Sequence, residues 1–275
     1  MEIKFCAFKE DAELEALVAL QNEVYKDRGL TFTKEIFKFW YSDNPCGNAI
    51  TFNAYENGQL VAHEALVPEQ MLVDGRVVKC VRSMGSVTHP DFRGRKLLSI
   101  LTNKAIEEAK NQGYEFVYGI ANGNSFHSFI KYCGFSFVGR LDVKFGVGKN
   151  VRPAGAKTYS RYWSADSLAW RIGYGNYCAK EGYILKRFKM GVNAYMGAFD
   201  KKLIADLEDM ANRKTPLGIN LYVGLGAKLP WSYLRVPKFI KHSPFNLIFR
   251  DLTEGQLPPM TSSNLFYQLI DFDVA

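Results

Sequence analysis

A strand, a basic turn and an amphipathic helix follow one another between Val87 and Gly113, and no other part of the chain constrains the fold as strongly. Pro90 ends the strand, because proline has no amide to donate to a sheet and biases the preceding residue toward extended geometry. From Leu97 to Ala109 apolar residues recur every four positions, which predicts a helix with one buried face. A strand expected over residues 114–120 then completes a βαβ unit.

The turn of this unit, Arg93-Gly94-Arg95-Lys96, places three cations and a glycine where the helix begins. The first amides of a helix have no acceptor within it, and the helix dipole favours negative charge at that end. The turn therefore predicts a binding site for a phosphate-sized anion. A solvated charged loop is the alternative, and the succession of strand, proline and amphipathic helix around the turn favours the anion site.

Two hairpin turns precede the βαβ unit. Asn57-Gly58 and Asp74-Gly75 both separate apolar runs, and both supply the positive φ values that tight hairpins require. They predict a three-stranded antiparallel meander over residues 49–89. The other elements expected in this half are a strand at 3–8, helices starting near residues 11 and 33, a short helix before Gly134 and a strand at 135–147.

The second half of the chain predicts a smaller α/β region. Residues 149–158 (KNVRPAGAKT) lack periodicity and indicate a linker. The expected organisation is one domain at 1–148, a linker at 149–158 and a second lobe at 159–275. In that lobe the patterns predict a short helix near 164–171, a helix at 200–213, and strands near 182–186, 194–199, 218–223, 245–250 and 265–272.

The charge and cysteine content narrow the classes of function. The net charge of +7 suits a nucleotide-like cofactor, a nucleic acid or an anionic surface, and ordinary solubility explains it equally well. The basic residues are scattered and form no known nucleic-acid motif, which argues against nucleic acid as a partner. Five widely spaced cysteines indicate reduced thiols and no metal site. With no signal-peptide pattern and no apolar run of about 20 residues, we expect a cytoplasmic protein without a membrane span.

Residues 1–147 resemble the GNAT superfamily of acyl-CoA-dependent N-acyltransferases. The resemblance rests on SVTHPDFRGRKLLSILTNKAIEEA and GNSFHSFIKYCGF, which match the family's V-x-P-x-x-R-G-x-G turn and its later helix ending in Gly-Phe. It implies an α/β fold with a mixed, mostly antiparallel central sheet flanked by helices. The second half resembles the degenerate lobe of tandem GNAT proteins, some of which accompany surface-polysaccharide enzymes while others resemble Fem-type aminoacyl transferases.

The resemblance also implies a co-substrate, acetyl-CoA or another acyl-CoA, and no metal. A backbone N–H near Val87 would polarise the thioester carbonyl, and Glu64 and Tyr132 are the candidate base and acid. The residues expected to bind the coenzyme are Ser86, Val87 and Thr88 along the pantetheine arm, Arg93, Gly94, Arg95, Lys96, Leu97 and Leu98 around the pyrophosphate, and Asn124 and Ser125 near the pantetheine or the sulfur.

The sequence departs from the family pattern at three positions. Lys96 stands where the family has its second glycine, and Leu98 where it has a small residue, so a Cβ narrows the pyrophosphate's approach to the backbone. Ile130 stands at the position of the usual acid tyrosine. Tyr132 lies two residues further on, about 200° round the helix, and would need a different approach to reach a thiolate.

Glu64 is the candidate general base, with Glu115 as the other carboxylate near the expected cleft. His63 and Glu64 are adjacent on a strand and therefore point to opposite faces, so that only one can face the acceptor. For either carboxylate, an ordinary solvent-facing strand residue is the alternative interpretation.

These observations predict direct transfer of an acyl group to the amine of a small-molecule acceptor, with an amino sugar as one such acceptor. A catalytically impaired acyl-CoA-binding protein and a Fem-like aminoacyl transferase are the alternatives. Both a monomer and a homodimer are compatible with the sequence.

Overall fold

The computed structural model describes residues 1–6, 11–187, 191–205, 207, 218–236 and 244–272. These residues form two compact units. The first comprises residues 1–70, 78–137 and 246–258, and the second comprises 71–77, 138–245 and 259–275. None of the described helices is long and apolar enough to span a membrane.

The first unit contains the βαβ unit within a mostly antiparallel sheet whose strand order is β1-β2-β3-β4-β5-β16-β6. Its strands are β1 (Glu2–Phe5), β2 (Ile50–Glu56), β3 (Gln59–Val73), β4 (Arg76–Thr88), β5 (Phe116–Ala121), β6 (Ser136–Arg140) and β16 (Asn246–Asp251). Its helices are α1 (Asp11–Tyr25), α2 (Lys34–Tyr41), α3 (Leu97–Asn111) and α4 (Gly123–Tyr132). The predicted fold class, a mixed sheet flanked by helices, is confirmed.

Both predicted hairpins are present in this sheet. Asn57 and Gly58 have φ values of 51° and 80°, and Asp74 and Gly75 have φ values of 48° and 80°. These are the left-handed conformations that Asn-Gly and Asp-Gly pairs adopt most readily. The local turn chemistry therefore fixes the meander of β2, β3 and β4.

The predicted apolar face of α3 packs against the sheet. Leu97 and Leu101 contact buried residues of β2 and β3, and Ala105, Ile106 and Ala109 lie in a core that β2–β5 and α4 share. Burial of this face fixes the orientation of α3, and its N-terminal end lies at the basic turn.

The parallel pair β4 and β5 runs together for only part of its length. Its register extends from Cys80 opposite Phe116 to Ser83 opposite Gly119. Beyond that point β4 continues to Thr88 and β5 continues to Ala121. The strands therefore part at Ser83 and Gly119, which opens the sheet in its middle.

Strand β16 completes the first sheet from far along the sequence. It pairs antiparallel with all of β5, from Asn246 opposite Ala121 to Asp251 opposite Phe116. Arg250 also donates to the carbonyl of Cys133 at 2.6 Å. The contacts thus group residues 246–258 with the first unit, and the sequence-based division into 1–148, 149–158 and 159–275 stays a prediction.

The prediction of a single strand over residues 135–147 is wrong. The chain forms β6 up to Arg140 and then β7 (Asp142–Gly146), which belongs to the other sheet. The amide of Leu141, the residue between them, donates to the carbonyl of Phe245 at 3.0 Å. The sequence pattern over residues 135–147 therefore covers two strands. It does not reveal the break between them, because the chain can change sheets without changing the alternation of its side chains.

The second unit contains a six-stranded sheet with the order β10-β11-β12-β13-β7-β15, in which β12 and β13 are parallel. Its strands are β10 (Tyr177–Lys180), β11 (Tyr183–Arg187), β12 (Val192–Ala198), β13 (Ile219–Gly224) and β15 (Leu234–Arg235), with the short strands β8 (Arg152–Pro153), β9 (Tyr159–Arg161), β14 (Ala227–Lys228) and β17 (Leu265–Phe266) outside it. Its helices are α5 (Ala165–Gly173), which Ser164 caps, and α6 (Lys201–Ala205).

Two expectations for this unit differ from the structure or lie partly outside it. The helix expected at 200–213 is described only as α6, and residues 206 and 208–213 lie outside the described residues. The strand expected at 265–272 ends after Phe266 and is followed by a 3-10 turn at Leu269–Asp271.

Candidate functional site

The parting of β4 and β5 opens a cavity of about 740 Å³ in the first unit. It extends from the point of parting to the basic turn before α3 and to the start of α4. Strand residues on its wall are Ser83 to Thr88 from β4 and Gly119 and Ile120 from β5; the turn and helices contribute Val24, Tyr25, Phe92, Arg93, Gly94, Lys96 to Ser99, Asn122, Asn124, Ser125, Ser128, Phe129 and Tyr132, and β16 contributes Ile248.

The basic turn holds the open end of α3 against this cavity. Gly94 and Lys96 have left-handed conformations, with φ values of 79° and 58°. The first helical hydrogen bond runs from the amide of Ile100 to the carbonyl of Lys96 at 3.1 Å. The amides of Leu97 and Leu98 therefore precede the hydrogen-bond ladder of α3, at the end where its dipole favours an anion.

The two arginines of the turn have different environments. Arg93 is exposed and borders the cavity. The guanidinium of Arg95 lies 4.8 Å from the ring centre of Phe92, and Arg95 is absent from the described cavity wall. The structure thus brings Arg93 to the cavity together with Gly94 and Lys96, and leaves the Arg95 guanidinium stacked on Phe92.

The backbone of β4 passes along the cavity from Gly85 onward. The amide of His89 donates to the carbonyl of Val61 on β3 at 2.9 Å. Because alternate amides of a strand point to the same neighbour, the amide of Val87 is expected to point toward β3 as well. The amides of Ser86 and Thr88 then point to the side that β5 leaves open, which favours them over Val87 as contacts for a ligand.

Gly85 gives β4 an irregular point beside the cavity. Its φ is 73°, and a Cβ built there would lie 2.5 Å from the Tyr41 hydroxyl. Gln21 on α1 donates to the carbonyl of Gly85 at 2.8 Å. A left-handed glycine within a strand marks a bulge, and side chains from α1 and α2 hold this one in place.

Asn122 is a cavity residue that the sequence reasoning missed. Its side-chain oxygen accepts hydrogen bonds from the amides of Asn124 and Ser125, at 2.9 and 3.0 Å, and so caps α4. Asn124 and Ser125, the two residues predicted to contact the coenzyme here, both border the cavity, but their backbone amides donate to the Asn122 cap. The N-cap preference of asparagine just before a helix is the signal that identifies this residue.

Tyr132 borders the cavity, and Ile130 packs into the core. The Tyr132 ring is 40% exposed, and the ammonium groups of Lys96 and Lys131 each lie 5.3 Å from its centre. Ile130 contacts the buried cluster around Phe129 and Phe135. The structure therefore places the Tyr132 side chain at the cavity, although Tyr132 does not occupy the sequence position of the family's acid tyrosine.

Glu64 is fully buried on β3, so the solvent-facing alternative is wrong for this residue. The Ser83 hydroxyl donates to its Oε1 at 2.7 Å. Burial raises the pKa of Glu64 to about 7, against the opposing effect of the nearby hydroxyls of Ser86, Ser83 and Thr102. Glu64 is absent from the described cavity wall, but Ser83 and Ser86, whose hydroxyls both lower its pKa, border the cavity.

His63 faces the other side of the sheet, as the alternation along β3 predicts. Its Nδ1 lies 2.7 Å from Asn53 Oδ1 and its Nε2 lies 3.0 Å from the Tyr41 hydroxyl. Since Asn53 Oδ1 only accepts, we assign the proton to Nδ1, and Nε2 accepts from Tyr41. Burial lowers the pKa of His63 to about 3, so this residue is a neutral link between β3 and α2.

Comparison with known proteins gives a consistent result. Residues 8–138 match the family model of an acetyltransferase (GNAT) domain. A probable N-acyltransferase of Enterococcus faecalis V583, described as a conserved protein of unknown function, has a TM-score of 0.58 at 11% identity, over 92% of this chain and 73% of its own.

Two further structures have the same coverage. A GCN5-related N-acetyltransferase from Kribbella flavida has a TM-score of 0.57 at 12% identity over 92% of this chain and 73% of its own. Eis1 from Mycobacterium abscessus has a TM-score of 0.56 at 10% identity over the same shares. At these identities the likeness shows the fold.

No curated protein matches the sequence. The family model covers a little less than half of the chain, the part that holds the basic turn, the parted strands and most of the cavity wall. The chain therefore contains a GNAT acetyltransferase domain at residues 8–138.

Proposed function

We propose that this protein transfers an acyl group from acetyl-CoA, or from another acyl-CoA, directly to the amine of a small acceptor molecule. The observation that carries the proposal is the parting of β4 and β5 at Ser83 and Gly119. The parted strands leave a cavity in which an extended ligand can lie along β4. The positively charged start of α3 forms part of the wall of the same cavity. Direct transfer depends on positioning of the two reactants more than on a covalent nucleophile.

The residues present fit a coenzyme with a pyrophosphate. The amides of Leu97 and Leu98 have no acceptor within α3, and Arg93 and Lys96 add two cations. These groups would bind the pyrophosphate, as the open end of a helix does. Asn124 would contact the pantetheine with its side chain, since the cap at Asn122 occupies its backbone amide. Ser125 would contact it only through the lone pairs of its hydroxyl, because its amide and its hydroxyl both donate to Asn122 Oδ1, at 3.0 and 3.3 Å.

The open backbone of β4 would orient the thioester. The amides of Ser86 and Thr88 alternate with those directed toward β3. An amide donor aimed at the carbonyl oxygen stabilises the negative charge that develops there during attack. We assign this role to Ser86, in place of the expected Val87, with Thr88 holding the pantetheine arm.

Glu64 remains the proposed base, and the proton for the leaving thiolate comes either from Tyr132, the expected acid, or from Glu64 after it has been protonated. Tyr132 borders the cavity directly, whereas Glu64 reaches it through Ser83. The acceptor we would test first is an amino sugar, by analogy with the surface-polysaccharide enzymes that some tandem GNAT proteins accompany.

Calorimetry with acetyl-CoA, followed by a thiol-release assay with glucosamine, lysine, spermidine, histamine and tryptamine, tests the proposal. We expect saturable binding of acetyl-CoA and release of free coenzyme A with at least one amine. Absence of acetyl-CoA binding contradicts the cofactor assignment, and binding without turnover on any amine contradicts transfer.

One observation favours a second candidate, an acyl-CoA-binding protein without transferase activity. Ile130 fills the position of the usual acid with an apolar side chain that packs into the core. This candidate predicts thermal stabilisation by acetyl-CoA with no acylated amine, so the same assay distinguishes the two.

A further inference from the structure

A buried carboxylate and a cavity-lining hydroxyl are directly hydrogen-bonded in the first unit. We propose that Ser83 and Glu64 form a proton relay in which Ser83 carries a proton from the acceptor amine in the cavity to Glu64, and later back to the leaving thiolate. The inference rests on the proposed function and specifies how its protons move. It also explains how transfer proceeds with Ile130 at the position of the usual acid.

The relay rests first on the position of its two members. Ser83 is the last residue of β4 that is paired with β5, and it borders the cavity. Its hydroxyl donates to Glu64 Oε1 at 2.7 Å, and its own lone pairs remain directed away from that bond. Glu64 has no exposed surface. Any proton that reaches Glu64 from the cavity along this hydrogen bond therefore passes through the Ser83 oxygen.

Gly119 keeps the approach to Ser83 open from the β5 side. A Cβ at residue 119 would lie 3.3 Å from both the Cβ and the carbonyl oxygen of Ser83. A glycine at this position therefore leaves space beside the serine at the point where the strands part.

Glu64 also has capacity to take a proton. Its Oε2 and the hydroxyl of Thr102 on α3 are both buried and have no partner of hydrogen-bond geometry among the described residues. No described lysine, arginine or histidine forms an ion pair with Glu64 within 4.0 Å. A buried carboxylate without a cation gains more from protonation than an ion-paired one.

Tyr41 and Cys133, two titratable side chains whose pKa values respond to the charge of Glu64, are neutral at physiological pH, and the charge of Arg82 acts on Tyr41 in the opposite direction. Burial, then the charge of Glu64, raises the pKa of Tyr41 on α2. Burial raises the pKa of Cys133, at the end of α4, to about 11, with Glu64 adding to the effect. The groups contributed by β4 and α3 are the hydroxyls of Ser83, Ser86 and Thr102. With a pKa of about 7, Glu64 itself exchanges a proton readily near neutral pH.

The relay neither gains nor loses a proton over one round of transfer. As the neutral amine nitrogen bonds to the acyl carbon, Ser83 Oγ accepts the N–H proton and passes its own proton to Glu64. As the carbon–sulfur bond breaks and its electron pair goes to sulfur, Glu64 returns the proton to Ser83, which passes one to the thiolate. The products are an amide and a free thiol, and Glu64 is again a carboxylate.

The test compares the wild-type protein with Glu64→Gln, Ser83→Ala and a control, Glu107→Gln. Glu107 lies on the exposed side of α3, so the control makes the same chemical change outside the site. Three measurements are made on each: acetyl-CoA affinity by calorimetry, the pH profile of kcat with an amine from the panel above, and the infrared band of a protonated carboxyl between pH 5 and 9.

We expect the wild-type kcat to rise with pH through about 7, and the carboxyl band to titrate over the same range. Glu64→Gln should lose the band, lower kcat about 100-fold or more, remove the acid limb and leave the acetyl-CoA Kd within about twofold. Ser83→Ala should lower kcat similarly and raise the midpoint of the carboxyl band, because it removes a hydrogen bond to the charged form.

Two results overturn the relay while leaving the transferase assignment intact. The first is an active wild-type protein whose acid limb persists in Glu64→Gln, and the second is a kcat within threefold of wild type in that variant. If the wild-type protein binds acetyl-CoA but acylates none of the amines, the proposed function itself fails, and the relay fails with it.

Discussion

Lys96 combines a left-handed backbone, at φ 58°, with an ammonium group 5.3 Å from the ring centre of Tyr132. The family's glycine would adopt this backbone without cost, whereas a residue with a Cβ loses about 1 kcal/mol there. Lys96 therefore lowers the stability of the turn slightly, but it adds a second cation beside Arg93 at the start of α3 and a contact with Tyr132, a candidate catalytic residue.

Replacing Lys96 separates these two effects. Lys96→Gly and Lys96→Ala remove the same charge, but only glycine relieves the backbone. We expect the glycine variant to be more stable than the alanine variant by about 1 kcal/mol in urea denaturation, and both to bind acetyl-CoA a few times more weakly than wild type. Equal stability of the two variants would show that the left-handed backbone carries no strain.

The arginines of the turn should contribute unequally to binding. Arg93 borders the cavity, whereas the Arg95 guanidinium stacks on Phe92. We expect Arg93→Ala to weaken acetyl-CoA binding about tenfold, as loss of one charge-assisted contact does, and Arg95→Ala to weaken it about twofold or less. Calorimetry on both variants measures the difference. The reverse order would place the pyrophosphate beside Arg95 instead of Arg93.

Gly85 should be intolerant of a side chain. A Cβ there would lie 2.5 Å from the Tyr41 hydroxyl, in addition to the strain of φ 73°. Gly58 is a matched control, because its φ is 80° and nothing lies within 4 Å of an added Cβ. We expect Gly58→Ala to cost about 1 kcal/mol and Gly85→Ala about 3 kcal/mol in thermal unfolding, with weaker acetyl-CoA binding only in the latter. Similar losses in both would mean that Tyr41 moves freely.

Glu64 should make stability depend on pH in a defined direction. Its pKa is about 7 in the folded protein and 4.5 as the ordinary value, so the folded state holds a proton that the unfolded state releases between these values. The stabilising contribution is complete below pH 4.5 and is lost as the pH rises through 7. The loss amounts to about 3 kcal/mol.

Glu64→Gln removes this titration. Relative to that variant, the wild-type protein should lose about 3 kcal/mol between pH 4.5 and pH 8 in urea unfolding. His63, whose pKa burial lowers to about 3, affects both proteins equally and cancels in the comparison. A pH-independent difference would show that Glu64 has an ordinary pKa.

The parts of the fold that the sequence predicts are those that short-range chemistry determines. Asn57-Gly58 and Asp74-Gly75 specify their hairpins, and the apolar period of α3 specifies its buried face. The cationic helix start follows from the same stretch. Each of these features depends on residues close together in the chain.

The parts that the sequence does not predict depend on distant partners. The pairing of β16 with β5 joins residues about 130 positions apart, and no local sequence pattern predicts which strand lies beside β5. The burial of Glu64 depends on α3 covering it, so the choice between a solvent-facing and a buried carboxylate was open in the sequence. The hydrogen bond from Ser83 to Glu64 likewise requires the neighbouring strands to be in place.

The position of β16 in the chain has a consequence for synthesis. Strand β5 is complete when residue 121 has been made, yet the partner along its other edge arrives only with residues 246–251. On the ribosome, β5 must therefore wait for more than a hundred further residues before its second edge is paired, and the cavity wall lacks Ile248 until then. The sheet beside the cavity is completed late, and a nascent chain halted before residue 246 should expose the edge of β5 to chaperones.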